Sequence, residues 1–88
     1  MYCYIITLNL NNKDKDYSEL FKAIEDLGKC KKVLESCWIV ETNVRANNIA
    51  RYLYNHIEDN DRLFVGKLNG EATWINVLCD DEWLKDNL

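Results

Sequence analysis

The acidic residues near the start of the chain are the first candidates for metal chemistry. Asp14 and Asp16, in the stretch NNKDKDY, are spaced like the early ligands of a calcium-binding loop. Such a loop also needs a glycine at its sharp turn, and no glycine is present at the required spacing. Asp16 is better explained as a helix cap and Asp14 as a solvated loop residue, so we predict no metal site here.

The nucleophilic and basic side chains occur singly. Ser36 has no base nearby in the sequence, and an isolated serine is more often a turn hydroxyl than a nucleophile. His56 is the only histidine, and near a helix end its charge would suit the helix dipole. None of the four cysteines forms a Cys-x-x-Cys pair, so zinc ligands are lacking and we expect reduced, buried cysteines. We predict no catalytic residue and no resident cofactor.

Basic side chains cluster only in the stretch KCKK. Lys29, Lys31 and Lys32 could bind the phosphates of a nucleic acid, but the surface would be small and the binding weak. The favoured alternative is a solvated strand edge whose lysines guard against aggregation. The net charge of −4 lies mostly in residues 80–88, where four acids against one lysine give −3.

The hydrophobic pattern predicts one domain over residues 1–79, followed by an acidic tail or short helix over 80–88. Apolar residues alternate from Tyr2 to Leu10 as in a strand, and they recur from Tyr17 to Leu27 at the spacing of one helical face. The later predicted elements are two short strands that reverse near Glu35-Ser36, a helix after Thr42 or Asn43, the strand RLFVGKL and, after an Asn69-Gly70 hairpin signal, the strand EATWINVL.

This order of elements predicts an α+β fold of the ferredoxin-like type. A β-α-β-β-α-β chain with an added C-terminal strand would form a two-layer sandwich, with two helices on one face of an antiparallel sheet. The first and third strands are apolar on both sides, so the second face of the sheet also needs a cover. We predict that a second copy of the chain supplies it, in a homodimer whose interface includes Cys3, Ile5, Thr7, Cys37 and Ile39.

Neither a membrane span nor a secretory leader is evident. The sequence has no apolar run of 18 residues, and its start lacks a basic stretch followed by an apolar one and a cleavage site. Hydrophobic residues make up 48% of the chain, which argues for an ordered globule rather than a disordered tail. We therefore expect a soluble, cytoplasmic protein.

Three stretches of the sequence together resemble a known family. YIITLNLNNKDKDYSELFKAIEDLG, LESCWIVETN and NDRLFVGKLNGEATW occur in this order between Tyr4 and Trp74. They are similar to the CRISPR-associated protein 2 superfamily of small ferredoxin-fold proteins, and most of all to its SinR/VapD-like branch. Ser36 matches a strand serine of that family.

The resemblance implies a homodimer packed through its sheets and a role in defence or mobile-element biology. Members of the superfamily include metal-dependent nucleases, a non-catalytic scaffold of spacer integration and RNA-cleaving toxin components. In the nucleases, an aspartate at the end of the first strand of each subunit holds a divalent metal, and the matching position here is Asn9. Because an amide brings no negative charge to a magnesium ion, the resemblance implies a non-catalytic binding module.

Two other functions stay open on the sequence alone. One is a metal-dependent endonuclease, acting on RNA or DNA with Mg²⁺ and with acids other than position 9. The other is a phage-type inhibitor of a host defence complex, similar in role to an anti-CRISPR protein. Its partner-binding residues would be Trp83 and Leu84, since an aromatic anchor among acids can engage a basic protein surface. The alternative for these two residues is packing on their own domain or on a dimer mate.

Overall fold

The computed structural model describes all 88 residues of the chain. It contains a four-stranded antiparallel sheet and three helices, which confirms the predicted α+β class. The elements in chain order are β1 (Tyr2–Asn9), α1 (Ser18–Glu25), β2 (Lys29–Leu34), β3 (Cys37–Thr42), α2 (Ala46–Tyr54), β4 (Arg62–Lys67) and α3 (Asp81–Asn87). None of the helices has the length and apolar character needed to cross a bilayer.

The strands are ordered β2-β3-β1-β4, so β1 lies inside the sheet and β2 and β4 form its edges. β1 is antiparallel to both of its neighbours, and Ile5 lies opposite Ile39 of β3 on one side and Gly66 of β4 on the other. β2 and β3 form a hairpin that reverses at Glu35 and Ser36, as predicted. Since side chains alternate along a strand, β1 contributes residues to both faces of the sheet.

Helices α1 and α2 cover the first face of the sheet. Leu20 of α1 lies three and four residues before the buried Ala23 and Ile24, and Ile49 of α2 lies four before Leu53, so each helix turns one apolar stripe toward the strands. The core between these layers is formed by Tyr4, Ile6, Leu8, Tyr17, Leu20, Ala23, Ile24, Trp38, Val40, Ile49 and Leu53. The prediction that two helices share one face is therefore confirmed.

The second face of the sheet is covered by residues 68–88 of the same chain, which we call the C-terminal segment. Cys37 and Ile39 of β3 pack against Leu84 of α3, with Trp74 and Val77 in contact around them. Cys37 and Ile39 are each only 6% exposed in the single chain. The premise that a second copy must cover this face is therefore wrong, because the chain closes most of it alone. The homodimer itself stays a prediction.

The predicted C-terminal strand is absent. Residues 71–80 contain no strand, although the sequence predicts one over EATWINVL. After β4, the Leu68 N–H donates to the Cys3 carbonyl at 2.8 Å, and the Asn69 side chain accepts the N–H of Glu71 in a local turn. Trp74 and Val77 then pack on the sheet face instead of pairing at its edge. Trp74 and Val77 are three residues apart, which does not fit the alternation of a strand, and the hairpin predicted at Asn69-Gly70 does not form.

Candidate functional site

The end of β1 and the start of β4 form an open surface on the second face of the sheet. Asn9 lies opposite Arg62, and Thr7 lies opposite Phe64. Leu8, between Thr7 and Asn9, points into the helix-covered core, so its two neighbours point the other way. We call Thr7, Asn9, Arg62 and Phe64 the strand-end surface. It borders an open cleft of about 230 Å³.

Phe64 is the aromatic side chain of the strand-end surface, and 64% of it is exposed. Its ring lies against Gly66, where an added Cβ would sit 2.8 Å from the ring carbon Cε1. The missing side chain at Gly66 therefore gives the ring the room to lie along the strand. The C-terminal segment leaves this part of the second face uncovered, so the ring is available to a binding partner.

Arg62 supplies an unpaired positive charge to the strand-end surface. The two salt bridges of the chain join Lys15 to Glu58 and Lys32 to Glu35, and neither involves Arg62. Arg62 and Asn9 are both exposed and face each other across the two strands. A guanidinium group and an amide offer several N–H donors, and the guanidinium adds positive charge, so together they suit an anion such as a phosphate.

Asp61, next to Arg62 in sequence, is engaged in structural hydrogen bonds. Its carboxylate accepts bonds from the Tyr17 hydroxyl at 2.8 and 3.0 Å. It also accepts the backbone N–H groups of Asn11 and Glu58, each at 2.8 Å. These bonds tie the loop after β1 to the loop before β4, and so they fix the two strand ends that carry the strand-end surface.

The same contacts determine how Asp61 and Tyr17 ionise. Burial alone would raise the pKa of the Asp61 carboxyl group, but the hydrogen bonds from Asn11, Glu58 and Tyr17 outweigh it and leave the pKa below its usual value. Burial first, and then the bond to Asp61, raise the pKa of the Tyr17 hydroxyl. Asp61 is therefore charged at neutral pH and serves as an anchor between two loops.

The strand-end surface does not fit a magnesium ion. Magnesium is held by carboxylates and phosphates, whereas here the side chain of Asn9 is neutral and that of Arg62 is positive. Nowhere in the chain do three histidine, cysteine or acidic side chains come together so as to hold a metal. Asp16 accepts the N–H of Ser18 at 2.9 Å just before α1, and Asp14 is exposed in the loop.

The three lysines of β2 do not form one cluster. Lys31 is opposite Ile39, which belongs to the second face, whereas Lys32 is opposite Trp38, which belongs to the first. The Lys32 ammonium group lies 5.5 Å from the centre of the Trp38 ring. Lys29 lies on the same face as Lys31, because one residue separates the two lysines and side chains alternate along a strand. Positive charges on both sides of an edge strand are typical of an edge that resists aggregation.

The two candidate nucleophile and base residues do not meet. The carbonyl of Ser36 accepts the N–H of Leu8 at 2.9 Å, which places this turn beside the end of β1. The Ser36 side chain is exposed and hydrogen-bonds to no base. His56 instead contacts Tyr52, with ring centres 5.9 Å apart, and its carbonyl accepts a bond from Lys15. The structure therefore brings Ser36, but not His56, near Asn9.

The residues predicted to contact other chains are buried or half-buried within their own chain. Leu84 is 1% exposed, so it is not available to a partner, contrary to the inhibitor hypothesis; Trp83 packs beside it and stays half-buried. Among the predicted dimer residues, Cys37 and Ile39 are buried. The remaining predicted dimer residues are half-buried: Cys3, Ile5 and Thr7.

The four cysteines are all free, but the expectation that they are buried holds for only one of them. Cys37 is buried and the other three are half-buried. Burial, followed by the charge of Glu25, raises the pKa of Cys30 to about 11, so this thiol is protonated at neutral pH. A protonated thiol is a poor nucleophile, which makes Cys30 a packing residue rather than a reactive one.

Sequence reasoning identified Asn9 but did not single out Arg62, Phe64 or Asp61. The stretch RLFVGKL is typical of a strand, and its alternation puts Arg62 and Phe64 on one side. Which residues of β1 they face depends on the register of the two strands, and the sequence does not specify that register. The polar stretch EDND, which ends at Asp61, indicates only the end of a helix. Nothing in the sequence therefore indicates the hydrogen bonds that Asp61 makes.

Comparison of the chain with protein-family models, curated proteins and solved structures finds no match. The resemblance to the CRISPR-associated protein 2 superfamily therefore stays a prediction. What the chain does is accordingly inferred from its fold and from the strand-end surface.

Proposed function

We propose that this chain is a non-catalytic binding module with a ferredoxin-like fold, related to the CRISPR-associated protein 2 superfamily and acting in defence or mobile-element biology. The strand order β2-β3-β1-β4, with α1 and α2 on one face, supports the ferredoxin-like arrangement. The observation that carries the functional proposal is the pairing of Asn9 with Arg62. The resemblance implies a metal-binding aspartate at the position where this chain has the neutral amide of Asn9, opposite the positively charged Arg62.

Charge at this position favours binding over hydrolysis. Metal-assisted hydrolysis needs an ion that polarises the phosphate and activates a water molecule. The positive charge of Arg62 opposes a divalent cation beside Asn9. The nearby carboxylate of Asp61 is already committed to Tyr17 and to two backbone N–H groups. The same charge that repels a metal attracts a phosphate.

The proposed ligand is a single strand of RNA or DNA. The guanidinium group of Arg62 would bind a phosphate, and the exposed ring of Phe64 would stack on a base. These two side chains alternate along β4 on one face, so one short stretch of nucleic acid could contact both. Because the protein carries a net charge of −4, we expect weak binding that depends strongly on salt.

The homodimer remains part of the proposal, but with a smaller interface than the sequence indicated. Cys37 and Ile39 lie under the C-terminal segment, so a twin subunit would meet exposed Phe64 and half-buried Thr7 instead. A twin subunit and a nucleic acid would then compete for the same residues. Sedimentation velocity with and without oligonucleotide measures that competition.

Fluorescence anisotropy with a short labelled single strand tests the binding proposal. We expect Phe64→Ala to weaken binding at least about fivefold, because stacking of a base on an aromatic ring contributes about 1–3 kcal/mol. Arg62→Ala should weaken binding and also lower the slope of log affinity against log salt by about 0.7, the value for one phosphate contact.

Matched controls come from α2, on the other side of the sheet. Tyr54 is 64% exposed, like Phe64, and Arg51 is an exposed arginine, so Tyr54→Ala and Arg51→Ala remove similar groups elsewhere. The controls should bind like the wild type. Equal losses in the control and site variants, or wild-type binding by Arg62→Ala and Phe64→Ala, would contradict the assignment of the strand-end surface.

A further inference from the structure

A cavity of about 190 Å³ lies between the second face of the sheet and the C-terminal segment. Ile5 and Ile39 form its floor on the sheet, and Trp74 and Leu84 form its roof. Eleven of its twelve lining residues are hydrophobic, and the exception is Thr73. The cavity is thus separate from the strand-end surface, which shares none of its lining residues.

The lining of this cavity favours an apolar occupant. A buried water molecule needs two to four polar partners, and the lining offers a single polar side chain, the hydroxyl of Thr73. No charged side chain lines the cavity, so an ion would lose its hydration without compensation from the side chains. An apolar cavity of about 150 Å³ is known to hold benzene, which sets the scale of the occupant.

We infer that this cavity is a binding site for a small, uncharged, apolar molecule of the size of a single aromatic ring or a short alkyl chain. The inference does not depend on the proposed function, because it uses neither Asn9 nor Arg62. Entry would be past the exposed rim formed by Leu34, Ala72 and Thr73.

Binding at this site is linked to the position of the C-terminal segment. Trp74 and Leu84 belong to that segment, so the cavity exists only while the segment lies on the sheet. The Leu78 N–H donates to the carbonyl of Val33 at 3.0 Å, which fastens the middle of the segment to β2. A ligand that binds only the closed arrangement stabilises it by mass action, so occupancy would hold the segment in place.

Titration of the full chain with toluene tests the site. We expect a saturable change in tryptophan fluorescence below the solubility limit of toluene, because Trp74 lines the cavity. Hydrogen exchange of the Leu78 amide should slow at least threefold. The Leu8 amide, which is bonded to Ser36 outside the segment, should slow less. Absence of a saturable change would overturn the binding site. Equal slowing of both amides would overturn its linkage to the C-terminal segment.

A filling variant and a charged probe make the test specific. Ala72→Leu puts a larger side chain at the cavity rim and should weaken toluene binding at least tenfold, whereas Ala46→Leu, on α2 and outside the lining, should leave it unchanged. Benzoate, with a similar ring but a negative charge, should bind wild-type protein at least tenfold more weakly than toluene. Equal toluene binding by the two variants would overturn the inference. Equal binding of benzoate and toluene by the wild type would also overturn it, and this second test does not require Ala72→Leu to fold.

Discussion

The hydroxyl of Tyr17 donates to both carboxylate oxygens of Asp61, at 2.8 and 3.0 Å, across 44 residues of sequence. This contact joins the loop after β1 to the loop before β4. It therefore holds in register the two strand ends that carry Asn9 and Arg62. The stability of the fold and the geometry of the strand-end surface depend on the same carboxylate.

Removal of that carboxylate should destabilise the protein strongly. Asp61→Ala leaves the backbone N–H groups of Asn11 and Glu58 without a partner, so we expect the free energy of unfolding to fall by about 2–3 kcal/mol. Tyr17→Phe should cost less, because the backbone bonds to Asp61 remain. Urea unfolding measures both effects. Asp59→Ala, an exposed acid with no hydrogen bond, is the control, and an equal loss in that variant would contradict the role of Asp61.

The lowered pKa of Asp61 predicts a loss of stability in acid. A carboxylate whose pKa is lower in the folded than in the unfolded state stabilises the protein fully above its unfolded pKa, about 4, and this stabilisation disappears as the pH falls through the folded pKa. The difference in unfolding free energy between wild type and Asp61→Asn should therefore be largest at neutral pH and shrink below about pH 4. Urea unfolding at several pH values measures it, and a difference independent of pH would contradict the ionised anchor.

The elements with strong local patterns were predictable from sequence. Leu20 and Ile24 of α1 and Ile49 and Leu53 of α2 have the spacing of one helical face, and the structure buries all four. The β2–β3 reversal at Glu35 was equally visible. In these cases the residues that decide the structure are close in sequence.

The cover of the second face was not predictable in the same way. Both a twin subunit and the chain's own tail can bury Ile39, and the apolar pattern of β3 is identical in the two cases. In EATWINVL, Trp74 and Val77 pack on the sheet from an irregular segment instead of pairing as part of a strand. Likewise, Arg62 meets Asn9 only through the register of two strands far apart in sequence.

The C-terminal segment should contribute directly to stability. Leu84 is 1% exposed, so Leu84→Ala should lower the free energy of unfolding by about 2–5 kcal/mol and increase the binding of a dye that reports exposed apolar surface. Leu78 lies in the same segment and is 57% exposed, so Leu78→Ala should have little effect on either measurement. Similar results for the two variants would contradict the packing of α3 on the sheet.

The same cover should limit self-association. A chain that ends at residue 79 would expose Cys37 and Ile39, so we expect it to associate at least tenfold more tightly than the full chain in sedimentation velocity. Leu84→Ala, which keeps the segment but weakens its packing, should show an intermediate effect. Identical association of all three chains would mean that α3 does not shield this face.

Gly28 should not tolerate a side chain. It joins α1 to β2 where an added Cβ would overlap the carbonyl oxygen of Glu41, so Gly28→Ala must move the backbone of either β2 or β3. We expect a loss of about 1–3 kcal/mol in thermal or urea unfolding, the range for overpacked positions. Ala substitution at Gly70, which has no atom within 4 Å of the added Cβ, should cost less despite its positive φ of 96°. The reverse order would contradict the close approach at Glu41.

Incubation of the purified protein with single- and double-stranded RNA and DNA, in Mg²⁺ or Mn²⁺ and in EDTA, tests the binding-module assignment most directly. We expect anisotropy to show salt-sensitive binding of a single strand that Arg62→Ala weakens, and we expect no metal-dependent cleavage of any substrate. Cleavage by the wild type that requires the metal and disappears in Asn9→Ala would contradict the assignment and identify a nuclease instead.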